Sequence, residues 1–312
     1  MSNSESESEP DKSFDTDDVS IAKVSEWIRG LSDRHKGSIL VLPSILYILI
    51  FFVAPVLIVL SYSIRVQESF SITNQFTAAN FQYVFTTSTF FDALWFSFYI
   101  SVIVTAISVV LGLPVAYYIA VRASPTVQNI LIFLVVVPLL INFYVQAFAI
   151  IQITGSRGVL NMVLVDIGLI SEPISWLIFS TPAVVMSLVY LWLPLMVLPI
   201  YAVLRNLDDE LLLAARDLGA GPVRTHYEIT IPSAFPGMIL GSLFVFLFTF
   251  GDLVITRMIG GGRQVTYSQA IMNQLEGAAN WAIASAATVV MVVVVLLLLV
   301  VMFRFIDMEE IF

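Results

Sequence analysis

Six long apolar runs constrain this chain more than any other feature of its sequence. None of the six contains Lys, Arg, His or Glu, and the fifth contains one acidic residue, Asp252. A helix needs about 20 apolar residues to cross the hydrocarbon core of a bilayer. The sequence therefore predicts an all-α membrane protein whose six transmembrane helices lie within residues 39–64, 93–121, 127–151, 182–204, 237–255 and 281–303.

The composition supports a membrane protein and excludes several other classes. Hydrophobic residues make up 59% of the chain and charged residues 12%, whereas a soluble domain carries about a quarter charged residues. The net charge of −9 opposes nucleic-acid binding, which uses basic patches. With no cysteine and two histidines, His35 and His226, we expect no disulfide, no metal centre and no cofactor held by this chain.

Basic residues indicate the orientation, because positively charged flanks stay on the cytoplasmic side. With the N-terminus inside, the outer loops contain only Arg65, Arg157, Arg257 and Arg263, and the other basic residues flank the inner ends or lie in the N-terminal tail. We therefore predict that both termini are cytoplasmic and that the protein is a multi-pass component of the cytoplasmic membrane.

Two regions are expected along the chain. Residues 1–36 form an acidic, Ser-rich cytoplasmic tail, which we predict to be largely disordered. Apolar positions between Val19 and Leu31 fit either a short amphipathic helix on the membrane or a solvated tail. The tail's acidity leaves open a halophilic source. Residues 37–312 form the transmembrane domain.

The polar segment 208–232, between the fourth and fifth runs, predicts a helical hairpin on the cytoplasmic face. Acidic residues at 208–210 are typical of a helix start, Gly219 is typical of a helix end, and Pro222 suits the first turn of a second short helix. The small residues between them allow another backbone to approach closely. This favours docking into a protein groove over contact with lipid alone.

This segment resembles the EAA motif of binding-protein-dependent ABC importer permeases. The resemblance is carried by residues 214–220, Ala-Ala-Arg-Asp-Leu-Gly-Ala, and by Ile229-Thr230-Ile231-Pro232. It implies a coupling helix that docks on an ATP-hydrolysing subunit. Leu213 stands where the family has a glutamate, which leaves the details of that contact open. The implied coupling residues are Leu211, Ala214, Ala215, Asp217, Gly219, Ala220 and Pro232.

Residues 188–199, together with Gly251-Asp252 and Gly260-Gly261, look like the B-type permeases of spermidine/putrescine importers. The resemblance implies a polyamine cargo. However, the loop Leu253-Val254-Ile255-Thr256-Arg257 lacks the proline that polyamine-type relatives usually have. Ferric iron and organic cations are therefore alternative cargoes.

The chain contains no Gly-x-x-x-x-Gly-Lys-Ser/Thr loop for phosphate binding. The family resemblance therefore implies a transport subunit and not an enzyme, with ATP and Mg²⁺ held by partner subunits. The implied partners are two ATPase subunits, a second homologous permease, an extracellular substrate-binding protein and membrane lipid. A stand-alone secondary carrier or channel is the alternative from a different class.

Several polar and aromatic residues in the apolar runs are candidates for the substrate path. A carboxylate near the outer end of the fifth run would attract a cation, or would simply reach the interface. Aromatic and amide groups would line a cation path, or would serve as interfacial anchors and interhelical hydrogen-bond partners. The candidates are Asp252, Asn142, Tyr144, Gln146, Tyr190 and Trp192.

Overall fold

The computed structural model describes residues 33–207, 211, 215, 221–262 and 264–304. The predicted tail therefore lies almost wholly outside the described residues. The chain divides between Ile58 and Val59 into two units. The first described helices are α1 (Asp33–Ile48), a π-helical turn (Leu49–Val53) and α2 (Ala54–Ser63).

In the described part of the second unit, the regular secondary structure is helical apart from one β-hairpin, β1 (Arg65–Glu68) with β2 (Ser71–Phe76). Its α-helices are α3 (Ala79–Thr86), α4 (Ser88–Tyr117), α5 (Pro125–Val136), α6 (Phe143–Thr154), α7 (Val159–Asp166), α8 (Thr181–Leu204), α9 (Pro222–Thr225), α10 (Ile231–Phe250), α11 (Val254–Gly260), α12 (Tyr267–Glu276) and α13 (Trp281–Phe303). Two π-helical turns (Tyr118–Arg122 and His226–Thr230) and two 3₁₀ turns (Val137–Leu140 and Ser175–Leu177) complete it.

The prediction of six transmembrane helices is confirmed. Within the described residues, six helical segments are long and apolar enough to span a membrane. They are Val41–Ser63, Ser88–Arg122, Phe143–Asp166, Thr181–Leu204, His226–Phe250 and Trp281–Val301.

The predicted third span, 127–151, is wrong as one continuous helix. The chain forms α5, passes through the 3₁₀ turn that contains Pro138, and starts again as α6 after Asn142. Proline lacks the backbone N–H that an α-helix needs, and the Asn142 side chain caps the new helix. The span that meets the length and hydropathy criteria is therefore Phe143–Asp166, with Pro125–Leu140 as a shorter apolar helix.

The core of the second unit is formed by α4, α8 and α10, each of which packs against the other two. Glycines bring the helices close together: Gly112 of α4 packs on Met196, and Gly237 of α10 packs on the backbone of Pro199 and Ile200. Small residues at a helix interface let backbones approach and increase van der Waals contact. These three helices therefore form one tightly packed unit.

The loops and short helices sort to the two ends of these core helices. One end, here called the Asp252 end, carries α11 and α12; the backbone N–H of Tyr267 donates to Ser97 Oγ near the start of α4. The β-hairpin is tied to the start of α13 by Gln67, whose Nε2 donates to the carbonyl of Ala279.

The opposite end, here called the Arg205 end, carries the segment predicted to form the hairpin. The predicted second short helix is confirmed as α9, which starts at Pro222. It continues through the π turn at 226–230 directly into α10. Residues 222–250 are therefore one uninterrupted helical segment.

Candidate functional site

The predicted coupling segment is described only in part. Leu211 and Ala215 are both helical, as predicted; the Leu211 side chain is exposed and Ala215 is buried. Four further predicted coupling residues, Ala214, Asp217, Gly219 and Ala220, lie outside the described residues.

The return arm of this segment is fully described at its backbone. Pro232 is the second residue of α10 and directly follows the π turn at 226–230, where it lacks the backbone N–H that a continuous helix uses. Arg224 and Glu228 form an ion pair one turn apart, with N···O at 2.8 Å, on the exposed side of the arm. Thr225 and Thr230 are buried. The arm thus has a solvated charged face and a face packed against the protein.

The prediction that Asp252 lies inside the fifth span is wrong. Helix α10 ends at Phe250 with Gly251 as its C-cap, so Asp252 follows the helix. Its Oδ1 accepts from the backbone N–H of Thr256 at 2.9 Å, which stabilises the first turn of α11. Burial raises the pKa of the Asp252 carboxyl to about 6, against the opposing effect of the Thr256 hydrogen bonds. The carboxyl is therefore a partly buried helix-capping group.

Asn142 caps α6, at a point where the sequence predicts mid-helix. Its Oδ1 accepts from the Tyr144 backbone N–H at 2.9 Å, and its backbone has left the helical region. Tyr144 itself is exposed. Both residues thus lie at a helix start and not within a continuous span.

Gln146 is buried and holds the break between α5 and α6 together. Its Nε2 donates to the carbonyls of Pro138 (2.7 Å) and Ile141 (2.9 Å); the Pro138 carbonyl also accepts from the backbone N–H of Ile141 at 3.2 Å. Its Oε1 is buried without a hydrogen-bond partner among the described residues. Among the described residues, the amide nitrogen of Gln146 is therefore hydrogen-bonded and the amide oxygen is not.

Gln146 and Tyr190 line one cavity. This open cavity of about 380 Å³ lies between α6 and α8, and Ser187, Met186 and Ala149 also contribute to its walls. The structure thus brings together two of the predicted path residues from different helices.

Trp192 does not join that cavity. It is buried between α6 and α10, stacked on Phe248 with ring centroids 4.8 Å apart and edge-on to Phe143 at 5.3 Å. Its Nε1 is without a partner among the described residues. Residues two apart on a helix point about 200° from each other, which is why Tyr190 and Trp192 separate.

A second, more polar cavity lies at the Asp252 end and was not predicted. It has a volume of about 280 Å³ and is lined by Ser180, Thr181, Thr256 and Gln264, with Phe96 and Val184. Thr256 also bonds to Asp252, which places that carboxyl behind the cavity wall. Hydroxyl side chains at helix starts are typical of helix caps. The hydroxyls of this cavity therefore could not be recognised from the sequence as the lining of a cavity.

No group of three or more His, Cys, Asp or Glu side chains able to hold a metal ion occurs in the part of the chain that the structure describes. The polar groups of both cavities are amides and hydroxyls, which suit hydrogen bonding to a passing solute and not acid–base chemistry.

Comparison with known proteins identifies the family. Residues 108–308 match the family described as binding-protein-dependent transport system inner membrane component. The chain is 34% identical over 197 residues to the spermidine/putrescine transport system permease protein PotB of Haemophilus influenzae, covering 63% of this chain and 68% of PotB.

Two solved structures share the fold. A bacterial ABC transporter that imports the acidic polysaccharide alginate superposes with a TM-score of 0.67 at 17% identity, covering 92% of this chain and 98% of the other. The alginate transporter bound to a periplasmic protein carrying an alginate pentasaccharide gives 0.65 at 18% identity, covering 85% and 91%. The chain therefore belongs to the binding-protein-dependent transport system inner membrane components and is a multi-pass ABC importer permease of the cytoplasmic membrane.

Proposed function

We propose that this permease moves a polyamine from an external binding protein to the cytoplasm. The observation that carries the cargo is the 34% identity to PotB across the permease region. A polyamine combines ammonium groups with an aliphatic body. The cavity between α6 and α8 offers an aromatic ring and an amide for the former and apolar walls for the latter.

The energy comes from partner subunits in this proposal. Two ATPase subunits dock on segment 208–232, and a second, homologous permease completes the path. Two features support docking on this segment: the EAA-like sequence, and the uninterrupted helix from 222 to 250 that links the segment to the core. The proposal includes the predicted orientation, with both termini and the Arg205 end in the cytoplasm.

Within the path, Tyr190 and Gln146 are the residues we propose to face the cargo. Asp252 would act at the outer entrance, behind the polar cavity that Thr256 lines. Trp192 and Asn142 are assigned structural roles, because one is enclosed by rings and the other caps a helix. Tyr144 is exposed at the start of α6, a helix that packs against α11.

Cargo is tested by uptake into proteoliposomes that contain the complete transporter with its binding protein. We expect ATP-dependent uptake of labelled putrescine that unlabelled spermidine inhibits and that choline and ferric iron do not. Inhibition by ferric iron or choline alone would replace the polyamine with the alternative cargo. Uptake without ATP or a bound ATPase would instead identify a secondary carrier.

The cargo-facing role is tested at Tyr190. Tyr190→Leu removes the ring, and we expect the KM for putrescine to rise by about twofold to thirtyfold, the range of a cation–π contact. Tyr190→Phe keeps the ring and is expected to remain near wild type. Met186→Leu, on the same cavity wall, is the matched control. An unchanged KM in Tyr190→Leu would remove this residue from the path.

The docking role is tested by Gly219→Trp, which adds bulk where close approach is proposed. We expect the variant to insert in the membrane but to lose ATP-driven uptake. Val163→Trp introduces the same side chain on the exposed side of α7 and serves as the control. Normal uptake by Gly219→Trp would contradict docking through this segment.

A further inference from the structure

Tyr117 and His226 connect two helices at the Arg205 end. Their rings meet edge to face, with centroids 5.2 Å apart and planes at 71°. The Arg122 guanidinium lies over the Tyr117 ring, 5.9 Å from its centroid. The ring centroids of His226 and Tyr227 are 6.3 Å apart. The contact therefore joins the end of α4 to the arm at 222–230, the part of segment 208–232 that leads into α10.

One side of the contact opens a π-helical turn, and the other side directly precedes one. Tyr117 is the last residue of α4 before the turn at 118–122, and His226 opens the turn at 226–230. Single π turns inside α-helices are rare and occur frequently at functional sites. Here each turn is anchored by a buried residue, Ile119 on one side and Thr230 on the other.

The backbone explains why this contact matters mechanically. The arm at 222–230 continues into α10 without a break, so a displacement of the arm passes to α10 through continuous helix. Helix α4 has no such backbone link to the segment. At this end, the Tyr117–His226 contact ties α4 directly to the arm.

We propose that the Tyr117–His226 pair is a positioning contact that makes α4 move together with the arm when nucleotide binds to the ATPase subunits. This inference rests on the proposed docking of those subunits on segment 208–232. The residues involved touch neither nucleotide nor cargo. They act by holding the two helices in register.

Because the chain contains no cysteine, introduced cysteines are the only sites in it that a thiol-reactive nitroxide would label. Nitroxide labels are placed on Ser124→Cys and Glu228→Cys, two exposed positions on either side of the contact, in the assembled transporter. Double electron–electron resonance then measures the distance between the two nitroxides, first without nucleotide and then with ATP and vanadate. We expect the same distance in both states, because the two turns move as one body.

His226→Leu in the same labelled transporter removes the ring, and we expect the distance to shift or broaden on adding nucleotide. His226→Phe keeps a ring and should restore the nucleotide-independent distance. Tyr118→Leu, on the same turn but exposed, is the matched control. If His226→Leu fails to assemble, Tyr117→Leu removes the other half of the pair.

Two outcomes would overturn the inference alone: a distance that already changes with nucleotide in the unsubstituted labelled chain, or a ring-free variant that behaves like the control. In either case the ATPase subunits would still copurify with the permease. Failure of the unsubstituted chain to bind any ATPase subunit would overturn the proposed function, and the inference with it.

Discussion

Gly237 lies directly against the backbone of Ile200. A Cβ atom added to Gly237 would lie 2.8 Å from Ile200 Cα and 2.7 Å from the carbonyl oxygen of Pro199. One turn further along the same face of α10, Gly241 makes the same kind of approach to Met196. The four-residue spacing of two glycines is what lets α8 and α10 pack backbone to backbone.

Gly237→Ala is therefore expected to destabilise the permease. The added methyl group meets backbone atoms that no side-chain rotation moves, and overpacking of this kind costs about 1–3 kcal/mol. The thermal unfolding midpoint in detergent measures the effect. Gly221→Ala is the matched control, because a Cβ there meets no atom of the described residues within 4 Å. Equal midpoints for the two variants would contradict the close approach.

Asn142→Ala is expected to weaken the start of α6. The substitution removes the side-chain acceptor for the Tyr144 N–H, and loss of such a cap costs about 0.5–2 kcal/mol. Asn142→Ser keeps an acceptor and should retain most of the stability. Amide hydrogen exchange of Tyr144 reports the capped N–H itself. Exchange that stays as slow in Asn142→Ala as in the wild type would argue against the cap.

Gln146→Leu is expected to destabilise the break between α5 and α6. The Ile141 carbonyl would lose its Gln146 donor, and the Pro138 carbonyl would keep only the Ile141 N–H; loss of a hydrogen bond of this kind costs about 0.5–1.5 kcal/mol. Chemical unfolding in detergent would compare this variant with Val145→Ala, an exposed neighbour. A Gln146→Leu variant as stable as Val145→Ala would show that the two carbonyls find other partners.

Asp252→Asn tests the buried carboxyl through its pH dependence. The substitution keeps an oxygen acceptor for Thr256 and removes the charge. Because the folded pKa of Asp252, about 6, lies above the ordinary value of 3.8, its stabilising contribution is fully present at low pH and is lost as the pH rises through about 6.

The stability of Asp252→Asn relative to the wild type should therefore increase between about pH 4 and pH 7. Unfolding midpoints of both proteins across this range provide the measurement. Asp92→Asn serves as a control for a general effect of removing one negative charge. A difference between wild type and Asp252→Asn that is independent of pH would mean that the carboxyl titrates normally in the folded protein.

Local sequence was sufficient for much of the architecture. The six spans follow from runs of apolar residues, because burying backbone in lipid requires a helix of sufficient length wherever such a run occurs. The start of α9 at Pro222 was likewise predicted from neighbouring residues. Caps and proline positions act over one turn, which is why they can be recognised without a structure.

Other features depended on side-chain hydrogen bonds that the pattern of apolar residues does not indicate. The interruption at Asn142 stands because Gln146 folds back onto the carbonyls of Pro138 and Ile141, whereas the apolar run by itself indicated a continuous helix. Likewise, α10 stops at Phe250 and Asp252 becomes a cap for α11.

The sequence by itself determined that this chain crosses a membrane six times and carries an EAA-like segment, because hydrophobic length and motif spacing are properties of contiguous residues. Only the tertiary structure decided which candidates share a site. Tyr190 faces Gln146 across a cavity, whereas Trp192 is enclosed by Phe143 and Phe248. That choice is made by the helices packed on each side of α8, since both residues are equally compatible with a membrane-spanning helix.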